Sequence, residues 1–461
     1  MRESVVRGYR PLRPDRDPFY RPPTGFEHRP PGALLRSRVI EPAVFGVVPL
    51  RVSAWQLLYR SCDLNGEPEA SVTTVLLPRG AAPDRRRPLV SLQCAIDAIA
   101  PQCFPSYALR RGAWALGAIP QLEVPLIAAA LARGWAVSVP DHGGPAGRFG
   151  APREPGYRAL DGIRAALSFE PLGLDTSTPV ALWGYSGGGL ATVWAAEVAA
   201  RYAPELEIVG AAAGSPVGDP GAAFVRLNGT LFAGFAMIFL AGLRRAYPRL
   251  EPLARTHLRA GYLDMLAKAE VSATLPLLAR LARRDVGRYS DHDVEALLRL
   301  PEMLPVIADI RPGAVAPDMP LLIVQGVNDE IIAVADIDAL VDRYIAAGAH
   351  VHYLRDRLSL HFPLQFIAIP AMLDWIADRF AAVPASAGIR TVRSVAATRR
   401  ALRGHRAMAR LTAHLLAARP IRSDPRRRWS PHGVFRGRPV RLAAVGIAAA
   451  PGEAGSAGSS G

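Results

Sequence analysis

One pentapeptide constrains this chain more than any other feature. Gly184-Tyr185-Ser186-Gly187-Gly188 follows the apolar run Val180–Trp183 and precedes the helix-forming run Leu190–Tyr202. A serine held in a tight connection between a strand and a helix adopts a strained backbone, and small neighbours let the two elements approach closely. This arrangement is the nucleophile elbow, which exposes a serine at the edge of an α/β sheet. We therefore predict that Ser186 is a nucleophile. The alternative is an ordinary glycine-rich turn.

The surrounding sequence alternates between short apolar runs and helical periodicity. Two β-rich runs, 53–62 and 70–77, flank Asn65-Gly66, a dipeptide typical of hairpin turns. Further strands are predicted at 89–93, 136–139, 180–183, 208–213, 321–325 and 350–354, and helices at 126–133, 157–168, 190–202, 337–347 and 370–380. Apolar strands that alternate with helices predict an α/β fold with a mostly parallel sheet covered on both faces.

The alternation divides the chain into segments. We predict a Pro/Arg-rich N-terminal arm (1–46), a core in two parts (47–215 and 320–385) and a basic, partly disordered tail (386–461). Between the two core parts, 216–319 has helical periodicity and no convincing strand, which predicts a helical cap. Residues 390–461 hold 15 Arg and 2 acidic residues, a charge of +13. The rest of the chain therefore carries only +2 of the total of +15.

Composition excludes several classes of protein. Three cysteines without a paired spacing exclude a disulfide framework and give no zinc motif, so we predict no metal site. The longest apolar run, Leu231–Leu243, has 13 residues, whereas a bilayer span needs about 20. Residues 1–30 are highly charged and lack the apolar segment of an export signal. We therefore predict a cytoplasmic or peripherally membrane-associated protein, or a secreted one if the start site lies elsewhere.

A nucleophilic serine needs a base, and the base needs an orienting acid. The elbow architecture expects them in the order serine, acid, histidine. Asp329 follows the predicted strand 321–325, with Glu330 beside it as a rival. His361 follows the strand 350–354 and is the preferred base. His142 is the main competitor, and His350 and His352 lie within a strand and are poorer candidates.

Several motifs together resemble the secretory lipase family, the lipase A type of α/β-hydrolase. They are Leu92–Ala98, Cys103–Leu109, Pro140–Pro145, Leu160–Ala166, Gly184–Gly189 and Gln325–Asp329, and the resemblance runs from about residue 45 to residue 380. It implies an α/β-hydrolase fold with a cap, hydrolysis of carboxylic esters and no cofactor. It also implies Ser186, Asp329 and His361 as catalytic residues.

The same resemblance implies an oxyanion hole made by the backbone N–H groups of Asp97 and Gly187. Chemistry agrees, because acyl transfer needs two fixed donors for the oxyanion. The alternative for Asp97 is a plain turn residue. The apolar run in the cap predicts either a buried helix or the lining of an acyl tunnel by residues such as Phe232, Phe235 and Met237.

The chain also departs from the family. Cys103 corresponds to a cysteine that is paired with a cap cysteine in relatives, but 267–274 contains no cysteine here. The basic tail has no counterpart that we recognise. Residues 392–416 predict an amphipathic helix with Arg399, Arg400, Arg403, Arg406 and Arg410 on one side, and with Leu402, Met408, Leu411, Leu415 and Leu416 on the other.

Such a helix is typical of an anionic membrane surface. The simplest interpretation is a disordered or solvated tail whose basicity reflects a high-GC coding bias, with a membrane surface as the alternative. A nucleic-acid partner is a further alternative, and no pattern supports specific nucleic-acid recognition.

These patterns together predict a serine carboxylic ester hydrolase, a triacylglycerol lipase of lipid catabolism that acts on a lipid or ester substrate. The alternatives are a short-chain esterase, an acyltransferase with the same triad, and a non-catalytic scaffold associated with membranes. Acyl chain length and oligomeric state do not follow from the sequence.

Overall fold

The computed structural model describes residues 10–81 and 86–422. A ten-stranded sheet forms the centre of the molecule, and a two-stranded ribbon, β2 and β3, lies apart from it. The strands are β1 (Leu34–Val39), β2 (Ala43–Val44), β3 (Val48–Pro49), β4 (Ser53–Cys62), β5 (Pro68–Leu77), β6 (Leu89–Gln93), β7 (Ala136–Pro140), β8 (Val180–Tyr185), β9 (Ile208–Gly214), β10 (Leu321–Gly326), β11 (Val351–Asp356) and β12 (Gly388–Val392).

Fifteen α-helices accompany these strands within the described ranges. They are α1 (Pro105–Ala108), α2 (Val124–Ala132), α3 (Glu154–Leu167), α4 (Gly187–Tyr202), α5 (Pro220–Leu227), α6 (Ala233–Ala246), α7 (Leu250–His257), α8 (Ala260–Ala269), α9 (Thr274–Leu281), α10 (Val294–Leu298), α11 (Leu304–Asp309), α12 (Val334–Ala346), α13 (His361–Ile367), α14 (Ile369–Phe380) and α15 (Arg399–Leu416).

The sheet is mostly parallel, as predicted. Its order is β1-β4-β5-β7-β6-β8-β9-β10-β11-β12. The seven strands from β7 to β12 run parallel to one another, while β4 and β5 form the predicted antiparallel hairpin. Parallel strands place their carboxyl ends at one edge, and in such sheets that edge carries the ligand site.

Helices cover both faces of the sheet. On one face α2 and α14 pack against side chains such as Leu92, Trp183 and Val324. On the other face α3, α4 and α12 pack against side chains such as Leu182 and Ile323. Every residue of β6, β8 and β10 is buried, because strands covered on two sides alternate between two apolar environments.

Seven helices, α5 to α11, fill the connection between β9 and β10, and this connection contains no strand among its described residues. They have a core of their own, in which Met237 and Ile238 of α6 pack near Tyr262, Leu266 and Leu277. We call residues 216–319 the cap from here on.

Two strands lie in segments that the sequence analysis placed outside the core. β1 belongs to the N-terminal arm and pairs antiparallel with β4 at one edge of the sheet. β12 belongs to the tail and pairs parallel with β11 at the other edge. Three of the six residues of β1 and four of the five residues of β12 are exposed, and no residue of either strand is fully buried, so backbone pairing rather than an apolar pattern identifies them as strands.

The tail also contains α15, close to the predicted helix. Leu415 is buried, and Met408 and Leu411 pack against the core. Leu402 and Leu416, which we expected on the apolar side, are 52% and 62% exposed. The tail beyond residue 422 lies outside the described residues. None of the described helices has the length and apolarity that a bilayer crossing would require.

Candidate active site

Ser186 stands at the turn between β8 and α4. Its backbone angles, φ 55° and ψ −122°, are those of a strained residue. A Cβ on Gly184 would lie 2.2 Å from the carbonyl oxygen of Gly188, and a Cβ on Gly188 would lie 2.0 Å from that of Gln93. The glycines on both sides of Ser186 are therefore required by close backbone approach, as the pentapeptide predicted.

His361 is brought to Ser186 by the connection between β11 and α13. Its Nε2 lies 2.9 Å from the Ser186 hydroxyl oxygen. The backbone N–H of His361 donates to Glu330 at 2.9 Å, and its carbonyl accepts a hydrogen bond from the Tyr185 hydroxyl at 2.6 Å. The histidine is buried and held at both backbone groups, so its ring is fixed against the serine.

Asp329 completes a hydrogen-bonded chain. Its Oδ2 lies 2.8 Å from Nδ1 of His361, and its Oδ1 accepts the N–H groups of Ile331 and Ile332 at 2.9 and 2.7 Å. Burial acts to raise the pKa of Asp329, but the hydrogen bond and charge of His361 and the two backbone donors outweigh it. The net pKa is lowered, which keeps the carboxylate ionised beside the imidazole.

The rival residues have other partners. Glu330 accepts the backbone N–H of His361, so it faces the histidine's main chain. Nε2 of His142 lies 2.7 Å from the Cys94 carbonyl oxygen, and burial lowers the pKa of His142 to about 4. His350 and His352 bond Ala385 and Ser386, at the opposite end of β11 from His361.

Asp97 and Gly187 lie side by side next to Ser186. Asp97 follows β6 and has a positive φ of 41°, and a Cβ on Gly187 would lie 2.0 Å from its Oδ1. Among the described residues, the backbone N–H groups of Asp97 and Gly187 donate to no acceptor. Burial raises the pKa of Asp97 to about 6, while the charge of His361 acts in the opposite direction.

A cavity of about 60 Å³ opens beside Ser186. Its polar edge is formed by Ser186 and Asp97, and the rest of its wall is apolar. The apolar wall consists of Phe149, Leu190, Val217, Pro220, Ala223, Phe224, Leu227, Phe235, Ala236, Phe239, Ile331 and Ile332. We call this the acyl cavity. An apolar space that ends at a nucleophile suits a hydrocarbon chain whose carbonyl reaches the serine.

One of the three predicted substrate-binding residues, Phe235, lines the acyl cavity. The other two do not, so this part of the prediction is corrected. Met237 lies two residues after Phe235, about 200° around α6, and is buried in the cap core. Phe232 precedes the helix, and its ring centroid lies 6.3 Å from that of Phe362, with the two ring planes tilted by 49°.

The cavity includes side chains that sequence reasoning missed. Phe224 and Leu227 on α5, and Phe239 one turn after Phe235 on α6, form much of the wall. Their spacing of three and four residues indicates one helical face, but core-facing helices have the same spacing. Thr274 was missed too. Its hydroxyl donates to the Asp97 carbonyl at 2.9 Å, and no sequence signal points to it.

Comparisons with known proteins place the chain among lipases. A family model described as secretory lipase matches residues 109–388. A Mycobacterium tuberculosis protein named a probable inactive lipase is 52% identical over 382 residues, which cover 83% of this chain and 86% of that protein. Lipase A of Arthroderma benhamiae is 37% identical over 391 residues, covering 83% of this chain and 82% of that enzyme.

Among solved structures, lipase A of Candida antarctica in its closed state superimposes with a TM-score of 0.75 at 28% identity. The match covers 89% of this chain and 96% of that one. The fold prediction, an α/β-hydrolase with a mostly parallel sheet, is confirmed by this similarity and by the strand order.

Proposed function

The chain belongs to the secretory lipase family, and on that basis we propose that it is a serine carboxylic ester hydrolase, specifically a triacylglycerol lipase. One observation carries the proposal. Asp329, His361 and Ser186 form a continuous hydrogen-bonded chain that ends at the mouth of the acyl cavity. A hydroxyl that donates to a buried, oriented imidazole is the arrangement that activates a serine for attack on a carbonyl carbon.

In the proposed mechanism the Ser186 oxygen attacks the ester carbonyl carbon while Nε2 of His361 takes its proton. Asp329 holds the proton on Nδ1 of His361 and stabilises the imidazolium that forms. The imidazolium then gives its proton to the alkoxy oxygen as the C–O bond breaks, and the alcohol leaves. An acyl group remains on Ser186. Water attacks this acyl-enzyme with His361 again as the base, and the free acid departs.

The negative oxygen of each tetrahedral intermediate needs donors fixed in advance. The N–H groups of Asp97 and Gly187 are suited to this role because both are unused by other described residues and adjacent to Ser186. Removing one such donor typically lowers kcat by about 10²- to 10³-fold. The positive φ of Asp97 is a strained conformation of the kind that accumulates at active sites.

The apolar wall of the acyl cavity supports a fatty-acyl substrate. Transfer of a hydrocarbon chain from water into such a wall contributes roughly 0.8 kcal/mol for each CH₂ group. An esterase of short-chain substrates would use the same triad with less of the cavity. An acyltransferase would replace the attacking water by an alcohol.

A non-catalytic scaffold is the second candidate function. It is favoured by one observation, the name "probable inactive lipase" carried by the relative from M. tuberculosis. Against it, a scaffold would not need a serine, a histidine and an aspartate in hydrogen-bond contact, and this chain has all three.

The test is hydrolysis of p-nitrophenyl esters from acetate to palmitate by the full chain and by Ser186→Ala. A triacylglycerol lipase is expected to hydrolyse the long-chain esters, and trioctanoin emulsions, with loss of about 10⁶-fold in kcat in the variant. Turnover confined to acetate and butyrate would indicate an esterase. No turnover by correctly folded protein would reject the hydrolase and favour the acyltransferase or the scaffold.

The exposed face of α15 supports a further proposal, electrostatic attraction to an anionic membrane surface. Arg399, Arg403, Arg406 and Arg410 are exposed, while the apolar side chains Met408, Leu411 and Leu415 pack on the core, so we expect attraction mainly by charge. Flotation with phosphatidylserine vesicles at low and high salt tests this. Binding that is insensitive to salt would contradict it.

The location of the protein stays a prediction. The family's description as secretory favours the secreted alternative over a cytoplasmic one. Fractionation of the native host into cytosol, membrane and culture medium would decide between them.

A further inference from the structure

Three side chains that could bind a metal meet on the cap, apart from Ser186, Asp329 and His361. They are His257, Asp291 and His292, and their candidate ligand atoms all lie within 4.8 Å of one another. The prediction of no metal site came from the cysteine pattern. These three residues match no metal motif either, because His257 lies 34 positions before Asp291 and 35 before His292.

The two imidazoles converge on one carboxylate. Nδ1 of His257 lies 3.0 and 3.1 Å from the two oxygens of Asp291, and Nδ1 of His292 lies 2.7 Å from Oδ1 of Asp291. Each imidazole therefore directs the same nitrogen towards a shared point. The ring centroids are 5.1 Å apart and the planes are nearly perpendicular.

These distances are close to those of a metal site. Ligand atoms around a four-coordinate zinc ion, with bonds of about 2.0–2.1 Å, are about 3.3 Å apart. The separations of 2.7–3.1 Å between each Nδ1 and the Asp291 oxygens need to open by only a few tenths of an ångström, and all the candidate ligand atoms lie within 4.8 Å of one another. Two nitrogens and one carboxylate oxygen leave a fourth position for water.

The backbone holds the three residues in place. His257 is the last residue of α7, and Asp291 and His292 precede α10. The segments are joined by an isolated bridge between Leu258 and Ser290 and by a hydrogen bond from the Arg259 N–H to the Tyr289 carbonyl at 2.8 Å. The backbone around these residues would therefore need little further ordering when a metal ion binds.

The surroundings favour a cation in two further respects. The side chains of His257, Asp291 and His292 are 18%, 51% and 39% exposed, so an ion can reach them from solvent. This chain contains 55 basic residues, and nearly all of them are arginine. Among the described residues, however, Asp291 forms ion pairs with the two histidines and with no arginine. The carboxylate is thus not committed to a guanidinium.

We propose that His257, Asp291 and His292 form a binding site for a divalent transition-metal ion of the zinc class, which joins α7 to the start of α10. Imidazole nitrogens suit zinc, copper and nickel, whereas magnesium and calcium prefer a shell of oxygens. Binding at Nδ1 requires each neutral imidazole to carry its proton on Nε2 instead of on Nδ1.

The site has a structural consequence for the cap. His257 also lines a second cavity, of about 50 Å³, whose wall includes Phe224, Leu250, Leu258 and Leu298. Phe224 lies between this cavity and the acyl cavity, since it lines both. A bound ion would therefore fix one wall of the space behind the acyl cavity.

The test is titration of the full chain, without a histidine tag and freed of metal by a chelator, with zinc chloride. Isothermal titration calorimetry is expected to show one saturable site, and thermal unfolding is expected to shift to higher temperature. The variants His257→Ala and His292→Ala should each weaken binding by about tenfold or more. Asp291→Asn keeps the size and the hydrogen-bond acceptor but removes the charge, and should weaken it too.

The matched control is the double variant His350→Ala/His352→Ala, which removes two histidines at the start of β11. It should bind zinc as the wild type does. Magnesium chloride should give no saturable heat. The proposal is overturned if zinc does not bind, if binding is unchanged in a folded His257→Ala/His292→Ala variant, or if magnesium binds equally well. None of these outcomes depends on ester hydrolysis.

Discussion

The hydroxyl of Thr274, at the start of the cap helix α9, donates a hydrogen bond to the backbone carbonyl of Asp97 at 2.9 Å. Thr274 is fully buried, and Asp97 is held at a positive φ of 41°. The peptide unit that follows Asp97 is therefore tied to the cap. Because the N–H of Asp97 is a proposed oxyanion donor, the position of the cap and the geometry of the oxyanion hole are coupled.

Cys103 also lies at this contact between the cap and the core. Burial raises the pKa of its thiol to about 12, although a hydrogen bond from the Thr274 backbone acts to lower it. All three cysteines are free and buried. In relatives, according to the family resemblance, a disulfide joins this position to the cap. Here a buried hydroxyl and a packed thiol connect the cap to the core without a covalent bond.

Thr274→Val should lower kcat while KM changes little. Valine keeps the shape of threonine but cannot donate to the Asp97 carbonyl. A hydrogen bond of this kind is worth roughly 0.5–1.5 kcal/mol, so we expect a loss of about three- to tenfold. Steady-state kinetics on one ester provides the measurement, and Thr274→Ser is the matched control because it keeps the hydroxyl. Equal losses in both variants would show that packing alone matters.

Asp97→Asn should change the pH dependence of activity. Burial raises the pKa of Asp97 to about 6, so its carboxyl loses its proton as pH rises from 5 to 8. The new negative charge stands beside Gly187, where the oxyanion would form, and it repels the transition state. The ratio of kcat/KM for the variant to that of the wild type should therefore increase with pH, by about tenfold or more. Asn keeps the backbone N–H.

The same substitution has a stability consequence with a defined sign. The pKa of the Asp97 carboxyl is 3.8 in the unfolded chain and about 6 in the folded protein. The folded state therefore loses stability relative to the unfolded state as pH rises through the window from about 4 to 6. Asp97→Asn should remove this loss, so its unfolding free energy should exceed the wild-type value at pH 8. Denaturant unfolding at pH 4 and pH 8 measures it. A ratio of kcat/KM, Asp97→Asn over wild type, that does not change with pH would contradict this prediction. The control is Asp318→Asn, which removes the charge of an exposed aspartate and should change neither the pH dependence nor the stability.

Substitution of Asp329 should lower kcat far more than substitution of its neighbour Glu330. Asp329→Asn removes the carboxylate that orients His361, which costs about 10⁴-fold in kcat in a comparable triad. Glu330→Gln keeps an acceptor for the backbone N–H of His361, so its kcat should stay within a few-fold of the wild type. Parallel kinetics of both variants provide the comparison. A large loss in Glu330→Gln with a small one in Asp329→Asn would reverse the assignment.

Narrowing the acyl cavity should change chain-length preference. Ala236 on α6 is buried and lines this cavity, so Ala236→Leu fills part of its space. We expect kcat/KM for p-nitrophenyl palmitate to fall by about tenfold or more while the value for butyrate stays within about threefold, since each CH₂ excluded forfeits roughly 0.8 kcal/mol.

Met237→Leu is the matched control for Ala236→Leu. It changes a side chain about 100° around the same helix, in the cap core, at nearly constant volume, so its chain-length profile should match the wild type. A parallel loss on palmitate and butyrate in Ala236→Leu would indicate general damage to the fold, and it would contradict the assignment of the cavity to the acyl chain.

The meeting of Ser186, Asp329 and His361 could be predicted because each residue follows a strand of a parallel sheet. The carboxyl ends of such strands share one edge, so chain order and strand position alone bring the three together. The apolar runs of β6, β8 and β10 were recognisable for a similar reason, as both of their faces are buried.

The edge strands, and the contacts that the cap helices make, could not be predicted in the same way. β12 begins with Gly388, includes Arg390 and is mostly exposed, so only its pairing with β11 identifies it as a strand. The side of α6 on which Met237 lies could not be predicted, because the run 231–243 is apolar all round. Thr274 meets Asp97 only through the docking of α9, which depends on packing distant in sequence.

The most direct test of the central claim, that this chain has an activated serine, is labelling of the folded protein with a fluorophosphonate probe followed by intact-protein and peptide mass spectrometry. The probe requires a nucleophilic serine and no assumption about the substrate. We predict a single adduct on Ser186 that is absent from Ser186→Ala and strongly reduced in His361→Ala. Folded wild-type protein without an adduct, or equal labelling of Ser186→Ala, would contradict the claim and favour the scaffold.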